Sequence, residues 1–133
     1  MPSLRVYRPI LPYLLMIILA LLTLPELAFT ERILARGDTF AYFYPYWDAR
    51  QLALSAGQLP LWTPDIFMGA PLLANPQIGT FYPLNWLPFN APDAVRYSVI
   101  LHVMLAGMGT YALAKRLIGH MLPGIAAACL YML

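Results

Sequence analysis

Three long stretches of this chain carry no charge at all: residues 9–25, 97–114 and 117–133, which are 17, 18 and 17 residues long. A helix that crosses a bilayer needs about 20 mostly apolar residues, with a range near 17–25, so each stretch is a candidate span. The rest of the composition agrees. Of 133 residues 61% are hydrophobic and only 11% are charged, where a soluble domain carries about 25% charged residues. That balance excludes a disordered chain, a nucleic-acid binder built on basic patches and an ordinary water-soluble enzyme. The single Cys129 excludes a disulfide framework and a cysteine-rich zinc site.

A fourth uncharged run, from Ile66 to Pro92, is longer than the other three but cannot be a span. Pro71, Pro76, Pro83, Pro88 and Pro92 interrupt it, and Gly69 and Gly79 loosen it further. Each interior proline removes a backbone hydrogen bond and clashes with the preceding turn, at about 3 kcal/mol. Lipid cannot satisfy the carbonyls so released, so this segment must lie at the interface or be covered by protein. Trp47, Trp62 and Trp86, with Phe81, Tyr82 and Phe89, suit a layer between headgroups and hydrocarbon.

The expected fold is therefore an all-α polytopic membrane protein fragment. About three transmembrane helices flank a long extracytoplasmic loop that contains short interfacial helices. The boundaries read as a cytoplasmic N-terminus at 1–8, a first span at 9–29 and the loop at 30–94. A second span follows at 95–114, a cytoplasmic turn at 115–116, and a third span at 117–133. Arg5 and Arg8 before an apolar run also fit a secretory signal, but Leu24-Pro25-Glu26-Leu27-Ala28-Phe29 lacks a small-x-small cleavage pattern. Orientation rests on Arg5, Arg8, Lys115 and Arg116 on one side against Arg32, Arg36 and Arg96 on the other. The third stretch would rise about 25 Å, short of a hydrocarbon core of about 30 Å. It ends on Tyr131-Met132-Leu133 without a polar anchor. The expectation is the N-terminal part of a larger protein, completed by its remaining helices or by a partner subunit.

Within the loop, Gly37 permits a sharp turn, and Asp38 or Thr39 can cap a following helix. Pro45 either kinks that helix or marks the first turn of a second piece. Gly57 is a natural stop, and Asn90 with Asp93 across Pro92 is a start signal for the next span.

Gly37-Asp38-Thr39, an aromatic helix with Tyr44-Pro45, "AGQLPLWTP" at 56–64, "GAPLLANPQ" at 69–77 and "FYPLNWL" at 81–87 form an ordered set. Together they resemble the first extracytoplasmic loop of bacterial YfhO-like membrane proteins, which belong with the polytopic glycosyltransferases of GT-C architecture. The resemblance implies an enzyme of the bacterial cytoplasmic membrane, with membrane lipid and a polyprenyl-phosphate-linked sugar donor as partners. It also implies an acidic active-site residue in the first outer loop, and Asp38 is the matching position. A carboxylate there either takes the acceptor hydroxyl's proton or holds a divalent metal ion as cofactor against the donor phosphate. Substrate contacts are expected from Asn75, Gln77, Tyr44 and Trp62.

Each of these residues also has a plainer role. Asp38 can be a helix cap, and Asp48, a further candidate, a solvated surface charge. Asp65 suits a turn. Asn75 and Gln77 can satisfy the proline-broken backbone around them. His102 is the one ionisable group within a span and a functional candidate on that ground, though a neutral histidine bonded to another helix also fits. The aromatics from Phe40 to Trp47 either stack on a sugar or form an interfacial belt. Small residues four apart, at Ala106, Thr110, Ala114, Gly124 and Ala128, suit close helix packing.

Overall fold

The computed structural model describes residues 10–133, so the expected cytoplasmic segment 1–8, with Arg5 and Arg8, lies outside the described residues. The elements are α1 (Leu11–Thr23), α2 (Pro25–Phe29), a π-helical turn (Thr39–Phe43), α3 (Tyr44–Ser55), β1 (Trp62–Thr63) and β2 (Ala70–Pro71). Two 3₁₀ turns follow (Pro76–Ile78 and Pro83–Trp86), and then α4 (Ala91–Ile118) and α5 (Met121–Met132). The chain divides into a helical unit, residues up to Arg32 with Val99–Leu133, and a loop unit, Ile33–Ser98.

In the helical unit, α1 buries Pro12, Met16 and Ala20, which lie four apart on one face. Leu11, Leu14, Leu15, Ile18 and Leu22 are exposed around the rest of it. A helix apolar on every side suits a lipid solvent, not water. Its buried face packs in a cluster of Met16, Tyr111 and Ala128, joined by Met108, Ile125, Cys129 and Met132. Gly124 allows the close approach, because a Cβ there would lie 3.2 Å from the Tyr111 carbonyl oxygen.

Only one helix among the described residues is long and apolar enough to cross a membrane: α4, with 28 residues, or about 42 Å. α1 and α5 have 13 and 12 residues, about 18–20 Å each, and fall short of the expected first and third spans. Pro25 explains the first shortfall. The residue before a proline is pushed out of the helical region, and Leu24 sits at φ −124°, ψ 51°, which splits the expected 9–29 helix. The turn expected at 115–116 is also displaced. Lys115 and Arg116 belong to the last turn of α4, where cations complement the helix dipole. The chain instead reverses at Gly119, with φ +80°.

In the loop unit, the stop signal after α3 and the start signal before α4 take the form the sequence suggests. α3 ends in a Schellman motif: Gly57 N–H donates to the Leu54 carbonyl and Gln58 N–H to that of Ala53. α4 opens with a reciprocal cap, in which the Asp93 backbone N–H donates to Asn90 Oδ1 (2.9 Å) and Asn90 Nδ2 to Asp93 Oδ2 (3.0 Å). Between these points the proline-rich stretch solves its backbone problem with side chains. Four successive carbonyls, of Gln77, Ile78, Gly79 and Thr80, accept from Trp47 Nε1, Arg50 Nη1, Asn85 Nδ2 and Trp86 Nε1. Lipid or a plain helix supplies no such donors, which is why two of them sit on α3 and two on the second 3₁₀ turn. The core beneath is Tyr46, Ala70, Leu72 and Ile78, with Tyr42, Trp47, Ala49 and Ile66 packed against it.

One short β-ladder departs from the all-α expectation. Trp62 pairs with Pro71 and Thr63 with Ala70, antiparallel. The connection closes through a turn in which Gly69 N–H donates to the Ile66 carbonyl at 2.9 Å. Its two central residues, Phe67 and Met68, have φ of 51° and 59°. Two positive φ values at the centre of a hairpin turn are the type I′ pattern, normally built from Asn-Gly. On bulky residues this conformation costs roughly 1–2 kcal/mol each.

Candidate functional site

The site grows from Pro45. With no N–H of its own, the proline leaves the Ala41 carbonyl without its helical donor, and its ring would press on that group. The chain widens in response. Tyr44 N–H reaches back five residues to the Thr39 carbonyl, and regular α-helix resumes with Pro45 in its first turn. Such π-turns occur frequently at functional sites. Here the wide turn brings the residues four and five positions after Asp38 alongside it: Asp38, Tyr42 and Phe43, with Gln77 from the first 3₁₀ turn, line a hollow of about 280 Å³.

Asp38 itself does not cap the helix. It lies in helical conformation at φ −64°, ψ −22° and makes no capping bond. Its carboxylate is exposed and has no hydrogen-bond or ion-pair partner among the described residues. The opposite wall is well held. Asn75 Oδ1 accepts from Gln77 N–H at 3.0 Å, Asn75 Nδ2 donates to Tyr42 Oη at 2.6 Å, and Trp47 Nε1 reaches the Gln77 carbonyl at 3.4 Å. With its backbone tied at both groups, Gln77 has its side-chain amide left for a ligand. Tyr42 accepts from Asn75 and keeps its own proton to donate. The hollow thus combines a free carboxylate, an amide, a phenol and an aromatic wall.

Three expected residues therefore meet: Asp38 and Gln77 line the hollow, and Asn75 braces it from behind. Tyr42 and Phe43, which no single-residue argument picks out, complete it. Tyr44 does not line this hollow. It is buried, its hydroxyl donates to the Leu34 carbonyl at 2.6 Å, and burial pushes its phenol pKa up against the smaller opposing effect of that bond. Trp62 lines a different hollow with Gln58, Thr63, Pro64 and Asp65, its ring lying against Gly69. A Cβ on Gly69 would meet Trp62 Cζ2 at 2.5 Å. His102 is exposed on α4, in the helical unit.

Asp48 lines a hollow of about 580 Å³, together with Pro45, Gln51, Ser55 and Asp65. Most polar side chains there already serve the fold. Asp48 Oδ1 accepts the Ala91 N–H at 3.0 Å, Gln51 Nε2 donates to the Leu87 carbonyl at 3.0 Å, and Ser55 Oγ to that of Leu52 at 2.9 Å. Asp48 is thus an exposed charge that also anchors the start of α4, and the smaller hollow at Asp38 is the better candidate. Arg50 is the other residue that sequence reasoning passed over. It is 1% exposed, bonded to the Ile78 carbonyl and stacked 4.9 Å from the Trp47 ring centre, and burial lowers its pKa to about 10.

Among the described residues no three His, Cys, Asp or Glu side chains come together to hold a metal. Asp38 offers a single protein ligand. The donor set does not make a metal site. No protein-family model matches the chain, and neither does any curated protein or solved structure.

Proposed function

We propose that this chain is the N-terminal part of an integral-membrane, YfhO-like glycosyltransferase of GT-C architecture, with α4 and the shorter apolar helices α1 and α5 embedded in the bilayer. The loop unit lies on the extracytoplasmic side and receives a sugar from a polyprenyl-phosphate donor. The observation that carries this reading is the unpartnered Asp38 carboxylate at a hollow that also presents Gln77, Tyr42 and Phe43. Sugar rings are bound by just such sets, an aromatic face for the C–H surface and amide, phenol and carboxylate groups for the hydroxyls. In the reaction Asp38 accepts the proton of the acceptor hydroxyl. The hydroxyl oxygen bonds to the anomeric carbon, and the bond from that carbon to the phosphate oxygen breaks, its electron pair leaving with the polyprenyl phosphate. A positioned base contributes about 10²–10⁴-fold to such a step.

The test is transfer of labelled sugar from a polyprenyl-phosphate donor in membranes that contain the protein. Asp38→Asn should lower transfer by roughly two orders of magnitude or more with unchanged membrane insertion. Transfer at the wild-type rate rejects the assignment. A second reading is a non-catalytic membrane protein that holds a partner or lipid through its aromatic loop, and the exposure of Phe40, Trp62, Phe81 and Trp86 favours it. It predicts no transfer by the wild-type protein under any donor.

A further inference from the structure

The most exposed large apolar residues of the loop unit sit at the one place where its backbone is forced. Phe67 is 80% exposed and Met68 101%, and both occupy the left-handed region, at φ 51° and 59°. A bulky residue at positive φ is a genuine outlier, and two in succession need a compensating interaction. Nothing within the loop unit supplies it, because both side chains point away from the core. The base of the hairpin, by contrast, is firmly built: Leu72 N–H donates to the Leu61 carbonyl at 3.0 Å, and Trp62 covers Gly69 where no Cβ would fit. Leu59, Leu61 and Trp62 on the incoming arm are exposed as well. A rigid stalk therefore holds out an apolar tip in a conformation that Asn-Gly would adopt more readily.

We propose that the Ile66–Gly69 turn is a bilayer-insertion finger, with Phe67 and Met68 entering the hydrocarbon edge and Trp62 at headgroup level. Two observations select lipid as the occupant. α4, the helix long enough to span, has its first residues in this same unit, and Asp48 holds the Ala91 N–H at its start, so the unit is tethered where a bilayer surface is within reach. The region is also without cations, since no Lys or Arg occurs between Arg50 and Arg96. Insertion is then apolar and indifferent to anionic headgroups. The inference rests on α4 being embedded, and not on the sugar site.

The test uses the full chain with Cys129→Ser, reconstituted in phosphatidylcholine nanodiscs, with an environment-sensitive fluorophore on Met68→Cys, Gln58→Cys or Leu105→Cys. Leu105 is exposed midway along α4. At position 68 emission should be blue-shifted, quenched by lipids carrying a nitroxide high on the acyl chain, and about fivefold less sensitive to aqueous iodide than at 58. Exchanging phosphatidylcholine for phosphatidylglycerol should leave this unchanged. Iodide quenching at 68 equal to that at 58 overturns the proposal, as the tip is then in water. A blue shift without nitroxide quenching also overturns it, because protein and not lipid then covers the tip. Loss of nitroxide quenching at both 68 and 105 removes the embedded helix and the finger together, whatever sugar transfer shows.

Discussion

Replacing Arg50 by methionine is expected to cost the loop unit only about 1–2 kcal/mol, although Arg50 is among its most buried side chains. The reasoning starts from opposing effects. The guanidinium donates to the Ile78 carbonyl and stacks on Trp47. A charged hydrogen bond contributes about 1.5–3 kcal/mol, and the stacking about 1 kcal/mol. Against this, the charge is buried with no carboxylate beside it among the described residues, and burial lowers its pKa to about 10. At about 1.36 kcal/mol per pH unit, the penalty of burying the charge offsets a large part of that gain. Methionine loses the bond and the stacking but also removes the buried charge, and it fills much of the same volume. Arg50→Ala removes the volume too and should cost about 2 kcal/mol more.

The pH dependence gives an independent check. A base whose folded pKa is lowered carries its penalty wherever it is protonated in the folded state, and is relieved as pH rises through that value. For Arg50 this begins near 10, so wild-type stability should be flat in this respect between about pH 6 and 9. Arg50→Lys starts from an unfolded pKa of about 10.4 and should grow more stable as pH rises towards 10. All three tryptophans lie in the loop unit, so thermal melts in detergent followed by tryptophan fluorescence report on it selectively. If Arg50→Met destabilises as much as Arg50→Ala, the charge itself is required and the account above is wrong.

Other substitutions test the same architecture. Asp48→Ala should weaken the start of α4 by about 1–2 kcal/mol, seen as faster hydrogen exchange at the Ala91 amide; unchanged exchange would show that its bond to Asp48 is dispensable. Gly69→Ala forces a Cβ to 2.5 Å from Trp62 and should cost more than about 2 kcal/mol, with a red shift of Trp62 emission as the ring is displaced. Phe67→Asn with Met68→Gly supplies the residues a type I′ turn prefers and should raise stability in detergent by about 1 kcal/mol; a lower melting temperature would mean the turn is not strained.

The parts of the fold that could be read from sequence are those fixed by neighbours in the chain. Asn90 with Asp93, Gly57 after α3, and Pro45 at a helix start are contacts over a few residues, and each appears as its spacing implies. The proline-rich run was legible as a problem but not in its solution. Its carbonyls take donors from Trp47 and Arg50, 30 and 28 residues away in sequence, and no local pattern names those partners. The same distance hides Asp48, whose partner Ala91 is 43 residues on. The turn expected at 115–116 falls at Gly119 for another reason. Paired cations mark a polar turn and a helix C-terminus equally well, and Gly119 is what separates the two.

The Asp38 hollow shows how a local signal can have a non-local consequence. Asp38 was singled out by resemblance alone, and regular α-helical spacing would have brought Tyr42 alongside it but turned Phe43 further round. Pro45 changes this by forcing five-residue hydrogen bonding just before it, so that both aromatic residues line the hollow with the carboxylate. The far wall is then set by Asn75, which ties Tyr42 on the widened turn to Gln77 on the 3₁₀ turn through one amide. A helix without the proline would turn Phe43 away and leave the hollow without one of its aromatic sides. The residue that reads as a helix breaker is, in this sense, the one that assembles the candidate site, although it does not line the hollow itself.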